Sequence, residues 1–160
     1  MCSGVEYAVC RLIAESFNEF VAPEYSDAGV KEFLKYANPE SLRDRSHKDH
    51  FVLVASDRDQ LVGIIEVRSN NHICLLFVKT GSQNMGVAKK LLSLSLDYCR
   101  RANPSLDFID VHSSPYAVEI YAKLGFTRTG IEQEINGIRF TPMRLPIRQN
   151  IRMQRQTEPQ

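Results

Sequence analysis

Apolar residues in this chain switch repeatedly between helical and strand spacing, and few folds accommodate that. Val5, Val9, Leu12, Ile13, Phe17 and Phe20 recur at helical spacing over residues 5–22. Pro23 ends that run, and Ser26 or Asp27 is suited to cap a second helix carrying Val30, Phe33, Leu34 and Ala37. Asn38-Pro39 reads as its break, and residues 41–49 read as a charged surface connection. The period then shortens. Residues 51–55, 61–67 and 73–78 are apolar runs separated by polar turns, which predicts three consecutive antiparallel strands. After Thr80-Gly81-Ser82 the helical period returns, with Val87, Leu91 and Leu94 on one apolar stripe, and Asn103-Pro104 stops it.

The remaining pattern predicts a buried strand over 106–111 and a helix that Ser114-Pro115 starts and Gly125 ends. Two last strands, 126–131 and 138–145, are predicted to join through Asn136-Gly137. The order α-α-β-β-β-α-β-α-β-β implies a mixed α/β (α+β) domain. Its single, mostly antiparallel central sheet of roughly six to seven strands would be flanked by helices. Residues 1–145 are expected to form that one domain, and 146–160 a polar basic tail.

Composition narrows the function classes. A net charge of +1 over 160 residues gives no reason to invoke nucleic acid or a membrane surface. No apolar run approaches the roughly 18 residues that span a bilayer. Cys2, Cys10, Cys74 and Cys99 form no Cys-x-x-Cys pair and no disulfide framework, so a cytoplasmic location is the expectation. His47-x-x-His50 has no cysteine nearby, and no metal is expected. From Arg144 onward four arginines face one acid, which reads as a solvated terminus or, alternatively, a phosphate-binding arm.

The segment Leu75-Leu76-Phe77-Val78-Lys79-Thr80-Gly81-Ser82-Gln83-Asn84-Met85-Gly86-Val87-Ala88 carries the chemistry. It reads as a strand, a tight polar loop and a long helix opening at small residues. A helix N-terminus offers free N–H groups and partial positive charge to an anion, and small residues let phosphate oxygens reach the backbone. Gly81 and Gly86 have P-loop spacing, but Val87-Ala88 stands where Lys-Ser/Thr is required. No dinucleotide fingerprint is present. What remains, Gln83-x-x-Gly86-x-Ala88, resembles the pyrophosphate loop of the GCN5-related N-acetyltransferase (GNAT) superfamily. Ser114-Pro115-Tyr116, running on to Tyr121-Ala122-Lys123-Leu124-Gly125-Phe126, is similar to that family's second signature. The closing Asn136-Gly137-Ile138-Arg139-Phe140 resembles its terminal hairpin. The resemblance spans roughly residues 10–145. It departs at the start, where only residues 1–4 precede the first helix and the family's opening strand is short or absent.

The resemblance implies an acetyl-CoA-dependent transfer to an amine. It implies that backbone groups of Phe77 and Val78 pair with the pantetheine arm, and that N–H groups of Gln83, Asn84, Met85, Gly86, Val87 and Ala88 hold the pyrophosphate. Lys89 and Lys123 either meet phosphates or sit on solvated helix faces. Ser114 and Tyr121 would lie near the thioester, Tyr121 as the acid for the departing sulfur. On pattern alone, Tyr121 reads as an ordinary amphipathic-helix aromatic and Ser114 as an N-cap. Glu66 and His112 are the candidate bases, each with a plain structural alternative at a strand surface or strand end. In this family the first two helices line the acceptor pocket, so Glu19, Glu24 and Tyr25 would receive a cationic amine. The expected partner is a small-molecule amine, with homodimer formation as a further expectation. Other readings are a protein N-terminal or lysine acetyltransferase and a non-catalytic acyl-CoA-binding module.

Overall fold

The computed structural model describes residues 4–147. Met1–Ser3 and residues 148–160 lie outside them, so nearly all of the expected basic tail does too.

Helix α1 (Glu6–Phe20) buries Val9, Ile13 and Phe17, the face its spacing predicts. A single 3₁₀ turn over Ala22–Glu24 contains Pro23. Helix α2 (Asp27–Tyr36) is capped by Ser26, whose hydroxyl accepts from the Gly29 N–H at 3.2 Å. The next segment corrects the sequence reading. Residues 41–49 are no plain connection: Pro39–Ser46 is a third helix, α3. Asn38 Oδ1 accepts from the Ser41 N–H at 3.0 Å and Pro39 occupies the first turn, so the pair that ends α2 also starts α3. Leu42 is fully buried beneath it.

The sheet comprises β1 (His50–Asp57), β2 (Gln60–Arg68), β3 (His72–Val78), β4 (Phe108–Ser113), β5 (Thr127–Arg128), β6 (Gln133–Ile135) and β7 (Ile138–Pro146). Strand order is β1-β2-β3-β4-β7-β5, with β6 also on β7. Every pairing is antiparallel except β3 with β4. Among the described residues no strand precedes α1, so β1 forms one edge. At the other end the expected strand over 126–131 is only two residues long. The chain turns at Gly130 and leaves Ile131 exposed. β6, a separate strand, forms the hairpin with β7 through Asn136-Gly137, both at positive φ.

Two helical layers cover the sheet. Helix α4 (Val87–Ala102) and α5 (Val118–Lys123) pack Leu91, Leu92, Cys99, Val118 and Tyr121 onto Ile65, Val67, Ile73, Ile109 and Val111. On the opposite face α1 and α3 pack Val9, Ile13 and Leu42 against Ile64 and Leu75. Residues 62–67 of β2 are therefore buried on both faces, which is why they read as a run without alternation. Gly63 lets α4 lie close, since a Cβ there would sit 2.9 Å from Val87 Cγ1.

Glu66 is the one acid in that run and is fully buried. Arg45 of α3 clamps it with Nε–Oε1 at 2.9 Å and Nη2–Oε2 at 3.1 Å, and donates Nη1 to the Tyr36 carbonyl at 2.7 Å. The guanidinium lies 3.5 Å from the Tyr36 ring centroid, and the Tyr36 hydroxyl donates to Glu66 at 3.4 Å. Replacing one partner strands the other in an apolar interior.

Arg45→Met is expected to lower stability by roughly 3–5 kcal/mol in denaturant titration, and adding Glu66→Gln to recover part of it. Gly29 abuts the Gly137 carbonyl, with no room for a Cβ. Gly29→Ala is expected to cost about 1–3 kcal/mol by the same measurement.

Candidate active site

The parallel strands β3 and β4 pair only at His72/Asp110 and Ile73/Val111, then separate. Cys74 is an extra residue on β3 opposite Glu66–Val67, a bulge that bends the strand as it leaves its partner. Beyond it Phe77 faces Ile64, and the Lys79 N–H donates to Val62 O at 2.8 Å. Antiparallel alternation then directs the backbone groups of Phe77 toward β2 and those of Leu76 and Val78 into the open seam. Of the two residues expected to offer backbone there, Val78 faces the seam. Phe77 contributes side-chain wall, and Leu76 takes its backbone place. A cavity of about 750 Å³ follows the seam.

One end of the cavity is the loop before α4. A 3₁₀ turn at Thr80–Ser82 leads to Gln83, whose amide donates to the Val78 carbonyl at 3.2 Å and folds the loop over the strand end. Asn84 (φ 60°) and Gly86 (φ 78°) are left-handed, and Gly86 is the helix N-cap without any side-chain bond. The first intrahelical bond runs from the Lys90 N–H to Gly86 O, so the N–H groups of Val87, Ala88 and Lys89 have no acceptor within the helix. Gln83, Asn84, Gly86, Val87, Ala88 and Lys89 all line the cavity, whereas the Met85 side chain is exposed away from it. Such a helix start forms a cradle suited to an anion.

The facing wall comes from β4 and the turn into α5. Ser114 was expected to cap α5, but the helix begins only at Val118, after a turn in which the Ala117 N–H donates to Ser114 O. The Ser114 side chain lines the cavity instead. Tyr121 is buried in α5, packed edge-on against Phe126 with centroids 5.2 Å apart, and also lines the cavity. Burial, and then the Cys74 thiol nearby, raise its phenol above the usual range, so it keeps its proton through neutral pH. Lys123 lines this wall as well.

The acceptor end differs most from the sequence reading. Glu19 accepts from the Thr80 hydroxyl at 2.6 Å and does not line the cavity; nor does Glu24, whose backbone carbonyl accepts from Arg139 at 3.1 Å. Tyr25 does line it, its phenol pushed up to about 12 mainly by burial. Glu66 lies behind Tyr36, held by Arg45 and outside the cavity lining, which removes it as a base. His112 does line the cavity, stacked on Phe140 with centroids 4.4 Å apart. Glu32, Tyr36, Arg68 and His72 line the same end and were not singled out from sequence. The His72 ring meets that of His112 edge-on at 4.8 Å. Burial, then His112 and Arg68, lower His72 to about 4; burial and Arg68 lower His112. Both imidazoles are therefore neutral at pH 7. Their placement on two central strands, otherwise apolar inward, was the available signal.

Among the described residues no group of three or more His, Cys, Asp or Glu is arranged to hold a metal ion, and no helix is long and apolar enough to cross a membrane.

A family model described as the acetyltransferase (GNAT) domain matches residues 21–147. Solved structures share the fold. A GCN5-related N-acetyltransferase from Rhodopseudomonas palustris superposes with a TM-score of 0.78 at 18% identity, covering 92% of both chains. A PaiA N-acetyltransferase from Thermoplasma acidophilum, solved in complex with coenzyme A, gives 0.70 at 19% identity, over 89% of this chain and 93% of that one. A GNAT-family acetyltransferase from Staphylococcus aureus gives 0.72 at 16% identity, over 92% and 96%. With the family model covering most of the chain and the splayed seam running from the Gly86 cradle to Tyr121, this chain belongs to the GNAT acetyltransferase family.

Proposed function

We propose that the chain transfers an acetyl group from acetyl-CoA to a primary amine of a small molecule by direct attack on the thioester. The observation that carries this reading is the single cavity that joins the Gly86 cradle, the open edge of β3 and the buried Tyr121. Those residues fit the co-substrate: a capless helix start for the pyrophosphate and seam-facing amides of Leu76 and Val78 for the pantetheine arm. Acetyl-CoA supplies an acetyl carbon activated by its thioester. As the amine nitrogen bonds to that carbon and the carbon–sulfur bond breaks, a seam-facing N–H takes the charge developing on the carbonyl oxygen. Tyr121, which keeps its proton, donates it to the departing sulfur. His112, neutral and in the cavity, receives the proton the amine sheds, directly or through water.

The small-molecule reading rests on the acceptor end. Helix α2 and the β6–β7 hairpin meet at Gly29 and Gly137, and aromatic residues Tyr25, Phe33 and Phe140 wall the space beneath. A protein lysine or N-terminus would need an open groove there.

Acetyl-CoA at about 100 times its Kd is expected to stabilise the protein by roughly 2.7 kcal/mol in thermal unfolding, with ATP and NAD giving no shift. Gly86→Glu should remove that shift, because a side chain at a left-handed position and a carboxylate at the cradle both oppose the phosphates. In thiol-release assays Tyr121→Phe should lower kcat by roughly 10²–10⁴ and leave the acetyl-CoA shift intact. A full shift with no thiol released from any amine would favour the non-catalytic binding module.

A further inference from the structure

Around the acceptor end the acids have cationic partners, and among the described residues one guanidinium has no carboxylate. Glu32, the acid lining that end, is offset by Lys35, with Nζ–Oε2 at 3.7 Å. Asp110, close to both histidines, is clamped by Arg144 at 2.7 and 3.0 Å. Glu66 is clamped by Arg45. Arg68 stands at the open mouth and makes no ion pair among the described residues. It sits directly across β2–β3 from His72. Arg68 is therefore the guanidinium there without a carboxylate partner among the described residues, and the donors an incoming acceptor meets are its fork and imidazole N–H groups. Such a set matches a carboxylate.

Spacing adds a length. β3 and β4 part after Ile73 and Val111, and Cys74 and Tyr121 both line the cavity at that fork, which puts the reacting end of the seam near Cys74. His72 lies two residues earlier along β3, within about 7 Å of chain even if fully extended, and the bulge shortens that. A nitrogen at the Cys74 level and an anionic group at the His72 level are a short molecule apart.

Resting on the acetyl-transfer reading above, we propose that the acceptor is a short amino acid, its amine directed to the thioester and its carboxylate held by Arg68 and His72. An amine without an anionic group, such as a polyamine, leaves Arg68 unmatched and meets repulsion at the mouth.

The test uses the full chain saturated with CoA, titrated calorimetrically with N-acetylglycine, N-acetyl-β-alanine and N-acetyl-γ-aminobutyrate, each against its own carboxamide. At least one carboxylate is expected to bind about tenfold or more tighter than its amide. Arg68→Met should erase that difference and Arg68→Lys retain part of it, while the CoA-induced thermal shift of each variant reports an intact fold. Equal binding of acids and amides, no carboxylate binding at millimolar concentration, or an unchanged preference in Arg68→Met overturns the proposal. Preferential turnover of spermidine over the free amino acids does so as well. Failure of the acetyl-transfer reading would appear separately, as CoA binding without thiol release for any amine.

Discussion

Two strands that run parallel and cannot stay together set the terms for the rest of the molecule. After two matched positions β3 and β4 diverge, with Cys74 bulging on one side and the turn at Ser114–Ala117 departing on the other. The seam exposes backbone groups in the middle of a sheet whose core is otherwise closed, and unpaired buried amides are costly. A strand-like ligand arm would relieve that cost by completing the sheet. The helix that crosses from β3 to β4 begins at the same gap, so its free N–H groups would meet any phosphate such an arm carried. Gly63 brings α4 close enough for this to hold.

The two faces of the sheet divide the work. One carries α4 and α5, with the cradle at the start of α4 and Tyr121 buried in α5. The other carries α1, α2 and α3, and here a buried ion pair does the fixing. Arg45 binds Glu66 on β2 and the last turn of α2 together, and its guanidinium lies on the Tyr36 ring. Tyr36 therefore enters the acceptor end as a fixed wall, its phenol raised far above the ordinary range by burial first and the Cys74 and Glu66 neighbours next. With those tyrosines and histidines neutral, Glu32 and Arg68 are the charged side chains lining that space.

Local chemistry was legible in the sequence and long-range pairing was not. Ser26, the Asn136-Gly137 turn and the Gly86 helix start each act within a few residues, and each was visible as a pattern. Helix α3 was missed because its burial depends on partners far along the chain, Arg43 with Glu6 and Arg45 with Glu66. Glu19 and Glu24 lay in the right region, but their bonds to Thr80 and Arg139 involve residues brought near only by folding. Arg68 and His72 flank the β2–β3 turn and His112 lies near the end of β4; only the β3–β4 pairing brings them together.

The meeting of Gly29 and Gly137 is a contact between main chains, bordered by the Ser26 hydroxyl. It fastens the roof of the acceptor end to its wall. The side chains of Glu32, Phe33, Ile138 and Phe140 line the cavity and take no part in the join. A lineage carrying this chain could thus explore new acceptors by side-chain replacement while the vault above them kept its span. An insertion at the hairpin tip would instead lift the whole vault, trading one enclosed chamber for an open trough.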